Sequence, residues 1–123
     1  MQNQPAIFYS FPSCNSSRRV KNWLVVNRVE HVERRVLRDT IDPDEIMRML
    51  KLSKEGFDEI ISSRIGSVGE SIVDFEDLPT SKFIQFVCEN PIVLRKPILI
   101  LGDRLIVGWN RDVYREIATK QLV

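Results

Sequence analysis

Along the first forty residues, the spacing of apolar and polar positions changes from that of a strand to that of a helix and back. The run 6-AIFYSF-11 is short, apolar and aromatic, and Pro12 and Ser13 follow it, which predicts a buried strand that ends in a turn. In 15-NSSRRVKNWLVVN-27 the apolar residues recur three and four positions apart, as in an amphipathic helix. The β-rich segment 31-HVERRVLR-38 predicts a second strand. Together they predict a βαβ unit with two parallel strands.

The middle of the chain has the pattern of consecutive helices. The stretch 42-DPDE-45 has Asp at the N-cap, Pro at the first and Glu at the third helical position, which is typical of a capping box. Further helices are predicted over 57-FDEIISSR-64 and 81-SKFIQFVCEN-90. The stretch between them, 66-GSVGESIVDF-75, contains two glycines and is predicted to be irregular.

The last third returns to the strand pattern. Two apolar runs in 97-PILILGDRLIVGWN-110 are separated by Gly102 and Asp103, which predicts a β-hairpin. Asn110 can cap a final helix over 111-RDVYREIATK-120. The order of elements is therefore βαβ, a helical insertion and ββα.

This order predicts an α/β chain with a thioredoxin-like fold and an inserted helical subdomain. At 123 residues the chain is long enough to bury one modest core. We expect one domain over residues 1–123, with a thioredoxin-like core formed by about 5–41 and 91–123 and a helical insertion over about 42–90.

Charge and hydropathy exclude some functional classes. The chain has 18 Lys+Arg and 17 Asp+Glu, a formal net charge of +1, which argues against strong direct binding to DNA. Its longest apolar run in the second half, 97-PILIL-101, is too short to cross a membrane. The N-terminal sequence lacks the basic and apolar regions of a signal peptide, so we expect a cytoplasmic protein.

Cys14 is the main candidate for chemistry. It follows the first predicted strand and stands at the entry to the first helix, where free N–H groups and the helix dipole favour a thiolate. Ser17 lies one turn further on and can donate to that thiolate, and Arg18 adds positive charge. The alternative is that Cys14 packs as a small apolar side chain, as many free cysteines do. The sequence leaves both interpretations open.

The other candidate residues give less indication of a chemical role than Cys14 does. Cys88 lies on a predicted helix beside Phe86 and Val87, as a packing cysteine would. His31, the one histidine, has no companion ligands, so we predict neither a metal site nor a cofactor. The run 33-ERR-35 is typical of a solvated strand face.

Four segments together resemble the ArsC/Spx family of thioredoxin-like proteins. They are 14-CNSSR-18, 59-EIISSR-64, 91-PIVLRKPILI-100 and 105-LIVGWN-110, in the order and at the separations found in that family. The resemblance covers nearly the whole chain and implies the fold expected above. It also implies a cis proline at Pro97, beside the cysteine.

One class in this family is the arsenate reductases, in which a cysteine attacks arsenate and three arginines hold the oxyanion. By resemblance, Cys14, Ser17 and Arg18 fit their C-x-x-S-R pattern, and Arg64 stands at the place of the first oxyanion arginine. The remaining two places differ, because the chain has Lys96 before the proline and Gly108 where the family's last arginine stands. A lost oxyanion donor costs about 3 kcal/mol of transition-state stabilisation, which argues against efficient arsenate reduction.

The other class is the Spx-type regulators, which bind the C-terminal domain of the RNA polymerase α subunit and redirect transcription during thiol stress. The segment 52-LSKEGFDEIISSR-64 resembles their interaction segment, and the match makes Gly56 the contact glycine with Glu55 and Phe57 as neighbours. A glycine lets a partner backbone approach closely, and Gly56 can also be a helix terminator at the C′ position, so that both roles can hold. The resemblance also implies a proteolytic adaptor as a second partner.

One residue departs from the regulator pattern. Spx regulators usually carry C-x-x-C, and Ser17 removes the second cysteine, so a local disulfide with Cys14 is excluded. We therefore predict an Spx-like regulator without that switch, in which Cys14 is a candidate sensor through sulfenic acid or a mixed disulfide. The alternatives are an ArsC-like reductase or a glutaredoxin-like oxidoreductase that uses Cys14 as nucleophile. An inactive relative with a structural cysteine is the third hypothesis.

Overall fold

The computed structural model describes residues 4–68 and 71–120, and within them it has six strands and five α-helices. The strands are β1 Ala6–Ser10, β2 His31–Arg35, β3 Ile65–Val68, β4 Ser71–Asp74, β5 Ile98–Leu101 and β6 Arg104–Val107. The α-helices are α1 Asn15–Val26, α2 Pro43–Leu52, α3 Phe57–Ile60, α4 Thr80–Glu89 and α5 Arg111–Lys120. Two short 3-10 turns, Phe75–Asp77 and Pro91–Val93, flank α4.

The chain forms two compact units. The sheet unit comprises the described residues as far as Arg35 together with those from Lys96 onward, and the insertion unit comprises Val36–Arg95. The sheet unit has four strands in the order β2-β1-β5-β6. Strands β1 and β2 are parallel, which confirms the predicted βαβ unit, and the other pairs are antiparallel.

Helices α1 and α5 pack against the sheet through one apolar core. Its strand residues alternate along β1 and pair across the sheet, so that Phe8 lies opposite Leu99 and Leu99 lies opposite Ile106. The buried members of this core are Ala6, Phe8, Val20, Trp23, Leu24, Leu99, Ile106, Tyr114 and Ile117. Spacings of three and four residues on α1 and of three on α5 put the helical members on one face of each helix.

Local sequence signals fix the ends of the sheet unit's second half. The β5–β6 hairpin turns at Gly102, which has a φ of +64° that a glycine adopts without strain, and the predicted hairpin is confirmed. The predicted cap is confirmed as well, because the Asn110 side-chain oxygen accepts the N–H of Val113 at 3.0 Å. The Lys96–Pro97 peptide bond is cis, as the family resemblance implied.

The insertion unit is built around α2, α4 and a cluster of aromatic rings. Helix α2 begins with the predicted capping box, in which the N–H of Asp42 donates to Glu45 Oε2 at 2.9 Å. The rings of Phe57, Phe75 and Phe86 belong to the cluster, and Phe75 lies 5.6 Å from Phe83 and 5.0 Å from Phe86 between ring centroids. Aromatic pairs at these distances contribute beyond simple burial.

Two predictions for the insertion unit are wrong. The helix predicted over 57–64 ends at Ile60, because Ile61 is extended and forms an antiparallel bridge with Leu94. The stretch predicted to be irregular, 66–75, instead contributes to the antiparallel pair of β3 and β4, and residues 69 and 70 lie outside the described residues.

The pairing that ends α3 early is non-local. The N–H of Ser62 donates to the carbonyl of Val93 at 2.9 Å, which continues the bridge and keeps this segment extended. The strand predicted over 31–38 is also shorter than expected and ends at Arg35. The observed chain is nevertheless α/β with a thioredoxin-like arrangement and an inserted subdomain, so the predicted fold class is confirmed. The insertion contains a hairpin in addition to its helices.

Candidate thiol site and docking segment

Cys14 is the N-cap residue of α1. The Pro12–Ser13 turn follows β1, and Ser13 has a φ of +54°, which redirects the chain into the helix. Cys14 itself is extended, with φ −116° and ψ 116°, and its carbonyl accepts the N–H of Arg18 at 3.1 Å. The thiol is half-buried and free. Cys14 therefore stands at the end of the helix where the first N–H groups have no intrahelical partner.

The environment lowers the pKa of the Cys14 thiol. Burial alone raises this pKa, but the Ser17 hydroxyl, the N–H groups of Ser17 and Ser16 and the positive charge of Lys96 together outweigh burial. The pKa of Cys14 consequently lies below its ordinary value, in the direction that the helix N-terminus predicts. The thiolate is the nucleophilic form of cysteine, so the site is set up for reaction with an electrophilic oxygen or sulfur.

Ser17 connects this site to the core of the sheet unit. Ser17 is only 4% exposed, and its side-chain oxygen accepts the backbone N–H of Phe11 at 3.0 Å. The Ser17 hydroxyl also contributes to the lowered pKa of the Cys14 thiol. A residue that sequence spacing selected as a donor is therefore also a buried structural acceptor.

Lys96 supplies the nearby charge. It precedes the cis Pro97, and its ammonium lies 5.1 Å from the centroid of the Phe11 ring as a cation–π contact. Arg18, which the sequence also predicted for this role, is exposed and donates instead to the side-chain oxygen of Asn15.

Arg64 belongs to the insertion unit and is held by carboxylates. Its guanidinium lies 3.3 Å from Asp74 Oδ1 and 3.2 Å from Glu76 Oε1, and its carbonyl accepts the N–H of Phe75. These contacts fasten the base of the β3–β4 hairpin. The structure thus brings Cys14, Ser17 and Lys96 together, while the guanidinium groups of Arg18 and Arg64 bind other side chains.

Gly56 lies in a fixed and open position. Its backbone has φ +75° and ψ −147°, a region that is essentially restricted to glycine. Apart from its two chain neighbours, no residue in the described ranges has an atom within 4 Å of a Cβ added there. Helix α2 has Ser53 as its C-cap, so Gly56 is not at the C′ position and is instead the N-cap residue of α3. The helix-terminator alternative for Gly56 is therefore wrong.

The loop before Gly56 is held by one carboxylate. Glu59 Oε1 accepts the N–H of Lys54 at 2.7 Å and that of Glu55 at 2.9 Å. The side chain of Glu55 is exposed, whereas Phe57 is half-buried with its ring 5.5 Å from that of Phe83. Glu55 and Gly56 are therefore available to a partner, and Phe57 holds the segment onto the insertion unit. Because the regulator resemblance predicts that a partner docks here, we refer to residues 54–58 as the docking segment.

The remaining candidate residues have structural surroundings. Cys88 is half-buried on α4, and its pKa is raised by burial and by the carboxylates of Asp42, Glu45 and Glu89. Such a thiol is less reactive than Cys14. Among the described residues, no group of three or more His, Cys, Asp or Glu side chains could hold a metal ion. No helix within the described ranges is long and apolar enough to span a membrane.

A polar network on β2 was missed by the sequence prediction of a solvated face. Glu33 accepts from the Ser10 hydroxyl at 2.7 Å and from the Lys21 ammonium at 2.9 Å, and the same ammonium lies 3.1 Å from His31 Nε2. The pKa of Glu33 is lowered, since these hydrogen bonds and the charges of Lys21 and Arg35 outweigh the effect of burial. No sequence signal could have revealed the network, because it depends on the register of β1 and β2.

Comparison with known proteins shows a family match and similar regulatory proteins. The profile of the ArsC family matches residues 9–117. The regulatory protein MgsR of Bacillus subtilis (strain 168) is 32% identical over 120 residues, which cover 98% of this chain and 95% of MgsR. The global transcriptional regulators Spx of Listeria monocytogenes and Staphylococcus aureus are each 34% identical over 114 residues, which cover 93% of this chain and 87% of theirs.

Solved structures share the fold at lower identity. An ArsC family related protein of Bacteroides fragilis has a TM-score of 0.71 and 15% identity, and covers 94% of this chain and 99% of its own. The arsenate reductase of Vibrio cholerae has a TM-score of 0.67 and 16% identity, with the same coverage. Both solved structures therefore share the thioredoxin-like fold of this chain.

Proposed function

Since the chain belongs to the ArsC family, we propose that it is an Spx-like transcriptional regulator that binds the C-terminal domain of the RNA polymerase α subunit. In this proposal it acts in the cytoplasm during thiol or oxidative stress and lacks the C-x-x-C disulfide switch. The names of the regulator relatives, which match nearly the whole chain at 32% and 34% identity, support this class over the reductases.

The observation that carries the proposal is the open space beside the backbone of Gly56, in a loop that is already ordered. A protein partner can approach the backbone there, because no described residue other than Gly56 and its two chain neighbours has an atom within 4 Å of the position that a Cβ would take. The two hydrogen bonds to Glu59 fix the loop before it, so the segment has its shape without a partner. A preformed contact site limits the entropy lost on binding.

The residues at the three positions where the reductases hold the oxyanion also favour a regulator over a reductase. Arg64 is paired with Asp74 and Glu76, Lys96 is a single point charge, and Gly108 stands where the reductases carry their last arginine. A lysine cannot make the bidentate contact that an arginine makes with an oxyanion.

The test measures binding of the full chain to the purified C-terminal domain of the polymerase α subunit by isothermal titration calorimetry. We expect the wild type to bind and Gly56→Arg to weaken binding by about tenfold or more, because the side chain fills the approach to the backbone. Glu55→Arg tests the same surface without a change in backbone strain, and we expect it to weaken binding too.

Gly102→Arg is the matched control. Gly102 also has a positive φ, and a Cβ added there would likewise meet nothing within 4 Å, but it lies on the β5–β6 hairpin of the sheet unit. It should bind like the wild type if the docking segment is the contact. A wild-type chain that does not bind, or a Gly102→Arg variant that loses as much affinity as Gly56→Arg, would contradict the proposal.

The thiol site supports a second role, in which Cys14 is a redox sensor. The thiolate attacks one oxygen of hydrogen peroxide, the O–O bond breaks, hydroxide leaves and Cys14 becomes a sulfenic acid. A second thiol such as glutathione then attacks this sulfur, and water leaves as a mixed disulfide forms. The lowered pKa of Cys14 favours the first step.

Intact mass spectrometry after treatment with peroxide and glutathione tests the sensor role. We expect one glutathione adduct on the wild type and on Cys88→Ser, and none on Cys14→Ser, because only the Cys14 pKa is lowered. An adduct that persists in Cys14→Ser would overturn this role. If arsenate-dependent oxidation of thiols is found in the wild type and lost in Cys14→Ser, the reductase alternative replaces the regulator proposal.

A further inference from the structure

A cleft of about 340 Å³ lies in the sheet unit, beside α1 and the turn between β6 and α5. It is separate from the thiol site and from the docking segment. Its lining residues are Arg19, Asn22, Trp23, Val26, Asn27 and Trp109. The chain has two tryptophans, and both line this cleft.

The aromatic walls of the cleft are held in place from behind. The Trp109 ring stacks on Tyr114 with centroids 4.8 Å apart, and Tyr114 meets Trp23 edge-on at 4.9 Å. Tyr114 is only 1% exposed, so it is a rigid support for both indoles. A partner that enters finds the walls already ordered, which lowers the entropic cost of binding.

The rim combines an exposed apolar residue with a cation. Val26 is 68% exposed at the cleft, on the last turn of α1. Within the described part of the chain, the Arg19 guanidinium forms no hydrogen bond or ion pair, and the cleft has no acidic lining residue. An apolar groove beside an unpaired guanidinium is complementary to an apolar group that carries an anion.

We propose that this cleft docks a segment of a partner protein in which a carboxylate side chain stands next to a large apolar side chain. The carboxylate pairs with Arg19, and the apolar side chain enters against Trp109 and Val26. Tryptophan and arginine are the residues that most often dominate binding energy at protein interfaces. The surface lies on a different unit from the docking segment, so the inference does not depend on the polymerase proposal.

Two other occupants fit the charges less well. A second copy in a two-fold arrangement brings like surface against like, which sets Arg19 against Arg19 without an acidic counterpart. Nucleic acid requires several cations along the phosphate backbone, whereas this cleft has one and the chain has a net charge of +1. A peptide with one carboxylate matches the single cation.

The experiment is a parallel selection of heptapeptides from a phage-displayed library on the full chain and on Arg19→Glu. We expect the wild type to enrich sequences that join Asp or Glu to Leu, Ile, Phe or Trp, and Arg19→Glu to replace the acidic residue with Lys or Arg. Enrichment of the same sequences on both proteins, or none above an uncoated support, would overturn the proposal.

The binding site is then read from the two indole N–H signals in an NMR titration with the most enriched synthetic peptide. We expect both signals to shift, Arg19→Glu and Val26→Ser to weaken binding by about tenfold, and Arg115→Glu and Val25→Ser to change it by less than about twofold. Arg115 and Val25 are exposed but do not line the cleft. Unshifted indole signals exclude the cleft. If self-association of the chain, or a dT oligonucleotide at a lower concentration than the peptide, shifts the same indole signals, the cleft belongs to that other occupant and the proposal is wrong.

Discussion

The backbone N–H of Phe11 donates to Ser17 Oγ over 3.0 Å, in the buried corner between β1 and α1. This oxygen accepts from Phe11 and so leaves the hydroxyl proton free to act as a donor, and the Ser17 hydroxyl lowers the pKa of the Cys14 thiol. One hydroxyl therefore braces the corner and favours the thiolate. The serine in place of a second cysteine is thus an integral part of this site.

Removal of that hydroxyl should change both pKa and stability. In Ser17→Ala we expect the pKa of Cys14 to rise and the free energy of unfolding to fall by about 1–3 kcal/mol, because a buried N–H loses its acceptor. The rate of alkylation by iodoacetamide against pH, in a Cys88→Ser background, reports the pKa, and urea denaturation reports stability. Ser16→Ala is the control, since Ser16 acts through its backbone N–H. Equal alkylation midpoints in all three proteins would contradict this role of Ser17.

The charge of Lys96 should be visible in the same assay. Lys96→Gln is expected to raise the pKa of Cys14, and high salt should raise it in the wild type more than in the variant, because salt screens this charge. Arg95→Gln is the neighbouring control, since the Arg95 side chain donates to the carbonyl of Asp58 at 3.2 Å. A pKa shift in Arg95→Gln as large as that in Lys96→Gln would argue against a specific role for Lys96.

The β3–β4 hairpin should depend on Gly66. A Cβ there would lie 2.6 Å from Cζ of Phe75, which is 2% exposed and cannot move freely. We expect Gly66→Ala to lower the free energy of unfolding by about 1–3 kcal/mol through overpacking. Ser67→Ala, at an exposed position of the same strand, should change stability by less than about 0.5 kcal/mol. A stable Gly66→Ala variant would show that Phe75 can shift.

Glu33 should make stability depend on acid. Its pKa is lowered in the folded chain, so its contribution is present above the ordinary glutamate pKa and is lost as pH falls through the lowered value. The difference in unfolding free energy between the wild type and Glu33→Gln should therefore be largest near neutral pH and shrink below about pH 4.

The carboxyl signal of Glu33 gives a direct check by NMR titration. Ser10→Ala and Lys21→Gln should each raise the pKa of Glu33, because each removes a hydrogen bond to the carboxylate. Lys51→Gln makes the same charge change at an exposed position of α2 and serves as the control. A Glu33 titration that is unchanged in Ser10→Ala and Lys21→Gln would contradict the network.

Sequence predicted best the elements that are determined locally. The α2 capping box, the turn at Gly102 and the Asn110 cap each depend on residues within a few positions of one another. The early end of α3 depends instead on Leu94, which lies far along the chain from Ile61. The pairing of β3 with β4 was hidden from sequence analysis because the glycines of 66-GSVGESIVDF-75 are equally typical of a loop.

In the candidate site, too, only the features that depend on local sequence were predictable. The closeness of Cys14 and Ser17 follows from helical spacing, so it was predictable, whereas Lys96 was selected by family resemblance and reaches the site through the strand order. The Glu33 network depends on strand register. The cleft between Trp23 and Trp109 depends on how α1 and α5 pack on the sheet. None of these arrangements has a local signature.

The strand order has a consequence for synthesis of the protein. Strands β1 and β5 are hydrogen-bonded neighbours, yet residues 11–97 separate them along the chain. On the ribosome, β1 can pair with β2 at once, but its other edge stays open while the whole insertion unit is made, and an open apolar edge is prone to aggregation. Phe8 and Tyr9, which are fully buried in the finished sheet, remain available to chaperones during that time. A ribosome that stalls before residue 98 therefore leaves the nascent cysteine site attached to half a sheet.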